Sequence, residues 1–249
     1  LMLSAGTIGG AITGTVAQRL GAGDKKGAED AAVSAFILTF LLGLLSAFVF
    51  LTLGETIYRG LGADGEVLKE ALQYSDVLFA GCFTIWIANG LAGVVRATGH
   101  MYVSALCLAT GSIVQVTLAA VFIFGFGLME GLGISGSSLS IVIGNGVSSF
   151  LLILYLSFRC ENLKLRLSFN RINFFSMLAI VKLGSLSSIN AFCTWGSVVI
   201  ITSHMTKFGV ETLAGYGIGA RLEFLIIPIV FGFGAASTAL IGVHFGANK

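Results

Sequence analysis

The sequence predicts an all-α membrane protein, a polytopic helical bundle, and three observations carry that prediction. Only 10% of its 249 residues are charged and 56% are apolar, whereas a soluble domain carries about 25% charged residues. Uncharged runs recur at 1–18, 31–53, 77–95, 101–129, 131–158, 183–203 and 224–243. Each approaches or exceeds the roughly 20 helical residues that cross a hydrocarbon core. The chain also has 34 glycines and a single proline, a balance that suits close approach of helices in a bilayer, where no hydrophobic effect drives them together. The mean hydropathy of +0.96 agrees.

Seven membrane segments follow in order. The first, 1–20, is apolar up to Gln18 and ends at Arg19 before the charged connector 21–30, GAGDKKGAED. The second, 31–53, stops at Gly54 and Glu55. In the loop 54–74, residues 65–74 (GEVLKEALQY) read as a surface helix. The third segment, 75–96, is followed by a tight connector at 97–100 and the fourth segment, 101–126. A Gly-rich turn, 127–133, leads to the fifth, 134–158. The basic loop 159–171 (RCENLKLRLSFNR) precedes 172–182 (INFFSMLAIVK), which suits an interfacial amphipathic helix. The sixth segment is 183–205. The seventh, about 212–244, contains Pro228 and is expected to kink there.

Lys and Arg give the orientation. Arg19, Lys25, Lys26, Arg96, Arg159, Lys164, Arg166, Arg171, Lys182 and Lys249 fall on one side of the membrane. Arg59, Lys69 and Lys207 fall on the other, and Arg221 lies within a segment. The richer side is cytoplasmic by the positive-inside rule.

Other classes are disfavoured. A net charge of +2 offers no electrostatic footprint for nucleic acid. Cys82, Cys107, Cys160 and Cys193 lack metal-ligand spacing and read as small packing residues. The segments hold no H-E-x-x-H, G-x-S-x-G or paired-Asp motif, so nothing points to an enzyme or a cofactor.

Gly9–Ala22 (GGAITGTVAQRLGA) resembles Gly234–Ala247 (GAASTALIGVHFGA) at a spacing of 225. Gly9, Ala11, Thr13, Gly21 and Ala22 match Gly234, Ala236, Thr238, Gly246 and Ala247. Duplicated halves are typical of secondary transporters.

Intramembrane carboxylates are costly and functional by default. Asp76 and Glu130 sit at outer segment ends and read as solvated. Glu223 precedes the uncharged run 224–243 and lies five residues before Pro228, with Tyr216 seven residues earlier on the same helical face. It is the candidate ion-coupling residue; the plainer reading is an interfacial acid near Arg221. Asn89, Gln115, Asn145, Asn190 and Thr194 are polar residues within apolar runs. They either bond across helices or line a cavity.

GGAITGTVAQRLGAGDKKGAE resembles the second helix and following loop of the MATE (multidrug and toxic compound extrusion) family. VVRATGHMYVSAL resembles that family's R-A-x-G turn, and TLAGYGIGARLEFLIIPIVFGFGAASTALIGVHFGAN its eighth helix. The resemblance implies two six-helix lobes about a pseudo-twofold along the membrane normal. Residues 1–158 would be helices two to six of the first lobe, 159–182 a cytoplasmic linker with its interfacial helix, and 183–249 the start of the second lobe. Helix one and helices nine to twelve would belong to a longer chain. The implied activity is export of organic cations or amphipathic drugs across a bacterial-type inner (plasma) membrane, driven by H⁺ or Na⁺. A lipid-linked oligosaccharide or lipid flippase, or an inactive fragment, are the alternatives. Trp86, Asn89, Gln115, Asn190, Thr194, Trp195 and Tyr216 are the cavity candidates, the tryptophans as aromatic faces for a cation. Two departures stand out. Ala119 occupies the position of the Asp in the family's N-x-x-L-D-P-x-F pattern, here Gln115 to Phe122. Thr194 stands where some members carry a Glu on the seventh helix.

Overall fold

Charged connectors and glycine turns punctuate the helices of this chain. Asp24 is the first example. Its carboxylate accepts the Gly27 backbone N–H at 2.8 Å and so caps the helix that begins at the next residue. The computed structural model describes residues 7–60, 64–126, 129–160, 163–164, 174–205 and 208–248. Its helices are α1 (Gly9–Gly21), α2 (Lys25–Gly60), α3 (Gly65–Ala80), α4 (Cys82–Ala97), α5 (Met101–Phe124), α6 (Ile134–Leu154), α7 (Phe174–Met205) and α8 (Val210–Gly246). A π-helical turn, Tyr155–Arg159, continues α6. Two-residue strands β1 (Gly125–Phe126) and β2 (Met129–Glu130) pair antiparallel, Gly125 with Glu130 and Phe126 with Met129. They flank residues of the expected Gly-rich turn.

Among the described residues, five helices are long and apolar enough to cross a membrane: α2, α5, α6 with its π turn, α7 and the end of α8. The all-α membrane architecture therefore holds. The expected first segment, 1–20, is described only from Thr7. α2 is longer than the expected 31–53, because the charged flanks on both sides remain helical.

Three boundaries differ from expectation. The third segment, 75–96, is not one straight helix. α3 and α4 meet at Gly81 with a bend of 49°. The apolar run crosses this break because hydropathy does not report backbone direction. A Cβ at Gly81 would sit 2.6 Å from Val142 Cγ2, so α6 comes against the break itself. The Thr84 hydroxyl fastens the corner, lying 2.9 Å from Gly81 O and 3.2 Å from Val142 O. The expected surface helix 65–74 runs on through Ala80 as α3. Residues 174–182, expected in an interfacial helix leading into the sixth segment, are the first turns of α7, with no break between them. No proline intervenes, and burial of Ile180 with Met177 packed beside it fixes this part to the core. Most of the basic loop 159–171 lies outside the described residues. The helical path of α8 is unbroken across Pro228, and its apolar span, Ile229–Gly246, starts one residue beyond it.

The core sits among α1, α2 and α4, where Ile12, Val16, Val33, Leu91, Val94 and Val95 are fully or almost fully buried. Alanines on α2 (Ala28, Ala31, Ala32, Ala35) recur at helical spacing and let α2 lie close to its neighbours. Leu152 and Leu156 close the core from α6 and its π turn. Further along α2, Leu45, Phe48 and Leu53 are exposed, as residues bordering lipid would be.

Candidate functional site

The matching stretches Gly9–Ala22 and Gly234–Ala247 form α1 and the end of α8, and these helices pack side by side. A Cβ added to Gly21 would run into the Val243 carbonyl, 2.7 Å from its carbon. A Cβ added to Gly246 would run into the Gln18 carbonyl, 2.8 Å from its carbon. Gly21 and Gly246 are repeat equivalents at the spacing of 225, and so are Gln18 and Val243. The contact is therefore reciprocal. Gly242, the equivalent of Ala17, faces Ala17 itself, with its would-be Cβ 2.8 Å from Ala17 Cβ. Residues that meet their own equivalents mark a pseudo-twofold axis running along the seam, with both helices parallel. The repeat seen in the sequence is thus built into the packing.

Two cavities border this seam, and a third lies against α7. One of about 520 Å³ lies at its closed end, bounded by Leu20 and Lys25, the 97–101 turn, and Leu240, Val243 and His244 of α8. A second, about 230 Å³, is lined by Gly10, Thr13, Arg96, Phe231, Gly234, Ala235 and Thr238. The third, about 500 Å³, lies where Thr7 faces Leu186, Ser187, Asn190 and Ala191 of α7. Helix ends bearing Arg19, Lys25, Arg96 and His244 gather at one face of the bundle, the face the positive-inside rule makes cytoplasmic.

The expected site residues divide among these regions. Asn190 and Thr194 lie one turn apart on α7, both exposed, with the Thr194 hydroxyl donating to Asn190 O at 2.9 Å. Asn190 lines the third cavity, so these two share a polar face. Trp86 and Asn89 are on α4 and half-buried. Trp86 packs against the core cluster with its indole Nε1 buried and unpaired among the described residues. Asn89 donates to Ile85 O at 3.0 Å. Gln115 is on α5, and its Cβ lies 2.6 Å from where a Cβ on Gly144 of α6 would sit. Tyr216 is half-buried on α8. Glu223 and Trp195 lie within α8 and α7, but their side chains fall outside the described residues, as does that of Arg221. The geometry joins Asn190 with Thr194 and Trp86 with Asn89. It leaves Gln115 apart, between α5 and α6.

Sequence reasoning missed two features. Arg96, placed at the cytoplasmic end of the third segment, is only 9% exposed and belongs to the last turn of α4, with its guanidinium 5.9 Å above the Phe231 ring of α8. An arginine closing an apolar run reads as interfacial, so no sequence signal separated the two cases. Thr13 ties α1 to α4: its hydroxyl lies 3.1 Å from Gly93 O and 2.9 Å from Gly9 O. Among the described residues no cluster of His, Cys, Asp and Glu could hold a metal ion.

A family model described as MatE matches residues 1–121 and 187–249. A probable multidrug resistance protein NorM of Thermotoga maritima is 24% identical over 250 residues, covering 100% of this chain and 53% of that protein. The multidrug export protein MepA of Staphylococcus aureus is 25% identical over 255 residues, covering 100% and 54%. The chain thus spans about half the length of these curated relatives. Among solved structures, an outward-facing conformation of a multidrug resistance MATE family transporter of the MOP superfamily superposes with a TM-score of 0.88. It is 26% identical, covering 99% of this chain and 54% of that one. An inward-facing conformation of a transporter described in the same words superposes with a TM-score of 0.77 at 24% identity, covering 97% and 58%, a likeness of fold.

Proposed function

Because the chain belongs to the MatE family, whose members are transporters rather than enzymes, we propose that it is the part of a multidrug efflux transporter that closes the pathway on the cytoplasmic side. The observation that carries this reading is the reciprocal contact of Gly21 and Gly246 with the carbonyls of Val243 and Gln18. Two equivalent helices touching backbone to backbone seal one end of a pathway along the pseudo-twofold. A pathway sealed at one end serves transport if the seal parts while the other end closes.

In this reading residues 1–158 form helices two to six of the first lobe, 159–182 the linker, whose last part runs on into α7, and 183–249 the start of the second lobe. The remaining helices lie elsewhere in the longer chain. Organic cations or amphipathic drugs are the exported class, exchanged for H⁺ or Na⁺ at the inner (plasma) membrane of a bacterium. Asn190 and Thr194 supply an exposed polar face toward the pathway. Glu223 is the carboxylate within α8 that binds either the driving ion or the cationic solute, since Ala119 and Thr194 remove the two acids expected elsewhere.

Efflux of a fluorescent organic cation by the full-length transporter in everted vesicles tests this. Export above an empty-vector control is expected, with loss of ion-driven export in Glu223→Gln at unchanged protein level. No export by the unaltered protein removes the efflux reading; undiminished export by the mutant removes Glu223 alone. Separate collapse of the proton and sodium gradients names the driving ion.

A further inference from the structure

A guanidinium taken out of water costs several kcal/mol unless its charge and hydrogen bonds are matched. Arg96 is nine-tenths buried, and its Nε has no hydrogen-bond partner among the described residues. Arginine stays protonated, so it cannot escape by neutralising itself. Among the described residues the ion pairs are Arg19–Asp24 at 3.2 Å and Arg59–Glu55 at 2.9 Å, and neither involves Arg96. Its recorded neighbour is the ring of Phe231, 5.9 Å from the guanidinium carbon. A cation–π contact is worth about 2 kcal/mol when desolvated, short of the burial cost.

The space beside it has a definite size. The cavity that Arg96 lines measures about 230 Å³. That equals the liquid volume of about eight waters, below the roughly 300 Å³ at which drug-sized pockets begin. It is too small for an exported drug and ample for a single oxyanion. Its walls come from α1, α4 and α8: small residues at Gly10, Gly234 and Ala235, and hydroxyls at Thr13 and Thr238. The Thr238 hydroxyl donates within its own helix, to Gly234 O at 2.8 Å, a local bond that a rotamer change can exchange for an anion. A planar fork of donors facing such a space matches a carboxylate or phosphate better than a spherical ion. Lys25 lines the neighbouring cavity at the cytoplasmic end, where it adds positive potential along the approach.

We propose that Arg96 is the centre of an oxyanion site at the seam, taking a phosphate group and thereby holding α4 against α8 while the cytoplasmic end is closed. The phosphate comes either from solution or from an anionic lipid headgroup. The site stands whatever solute is exported, so its failure would leave the efflux reading intact.

The test uses the full-length transporter in maltoside micelles, which carry no phosphate. Thermal melting is followed while inorganic phosphate replaces chloride at constant ionic strength, and in a second arm while phosphatidylglycerol is added without free phosphate. A saturable rise of several degrees is expected in at least one arm, and the responding arm names the source. The rise should vanish in Arg96→Met and survive, weakened, in Arg96→Lys. No rise in either arm, or an equal rise in Arg96→Met, overturns the proposal. Should Arg96→Met fail to fold, crystals of the unaltered protein soaked in selenate decide. Anomalous density within hydrogen-bond distance of Arg96 supports the site; its absence, or a carboxylate from elsewhere in the chain occupying the space, overturns it.

Discussion

The α1–α8 seam and the α5–α6 pair use the same device and differ in how they are fastened. In both, reciprocal glycines let backbones touch. Gly111 of α5 and Gly144 of α6 face each other, and a Cβ on Gly144 would sit 2.7 Å from Gly111 O. Between α5 and α6 a hydrogen bond is added: the Ser148 hydroxyl reaches across to Cys107 O at 3.3 Å and also back to Gly144 O at 3.2 Å. Across the seam, no side-chain hydrogen bond links α1 to α8 among the described residues. The Thr13 hydroxyl turns instead to α4. Within a bilayer, packing and hydrogen bonds share the work of association. On the proposed reading the seam separates and re-forms during transport, while the α5–α6 pair stays together. The difference teaches that close approach alone does not identify a rigid contact.

The sharpest way to break this comparison is to overfill both interfaces. Gly111→Leu drives a side chain into the backbone of a pair that cannot part, and overpacking of this kind costs about 3 kcal/mol or more. It should abolish accumulation of the full-length protein in membranes. Gly246→Leu meets the Gln18 carbonyl at a seam that can open, so the protein should accumulate while efflux falls at least tenfold. Equal loss of both proteins on an immunoblot would show that the seam is as fixed as the α5–α6 pair.

A smaller but reversible effect sharpens the picture. Cysteines placed at positions 17 and 242, with the four native cysteines replaced, lie close enough on the axis to bridge. Oxidation should stop efflux and reduction should restore it. Efflux that persists with the bridge intact by mass spectrometry would mean that the seam never parts during transport. The smallest effect is expected from Ser148→Ala, which removes one hydroxyl at a cost of about 0.6 kcal/mol. A slight fall in melting temperature with normal efflux is the expected result. A large loss of efflux at normal stability would give Ser148 a role in movement instead.

These two interfaces also show what could be read from the sequence. α2, α5 and α6 were legible because uninterrupted apolar length is a direct consequence of crossing hydrocarbon. The repeat was legible because Gly21 and Gly246 kept the same residue under the same steric demand. The break at Gly81 was not, since glycine is frequent here and apolar continuity runs through it. Nor was the pairing of Gly111 with Gly144, because a glycine's neighbour across an interface leaves no mark on its own segment. At the site, Asn190 and Thr194 were found together because four residues make one helical turn. Burial of Arg96 was hidden, because whether an arginine at the end of an apolar run reaches water depends on α8, which lies more than a hundred residues away.

A contact in which each residue meets the other's equivalent is the signature of an isologous interface between identical subunits. In such a homodimer every substitution on this face would have acted twice, once on each side. Within one chain the two sides are encoded separately, so that restriction does not apply. Gln18 and Val243 now differ although they hold equivalent places, because each offers only its backbone carbonyl to the opposite helix. Gly21 and Gly246 have not diverged, because neither position has room for even one carbon more. Where a duplicated protein has stayed the same, and where it has been free to change, can thus be decided by which atom, side chain or backbone, faces the twin.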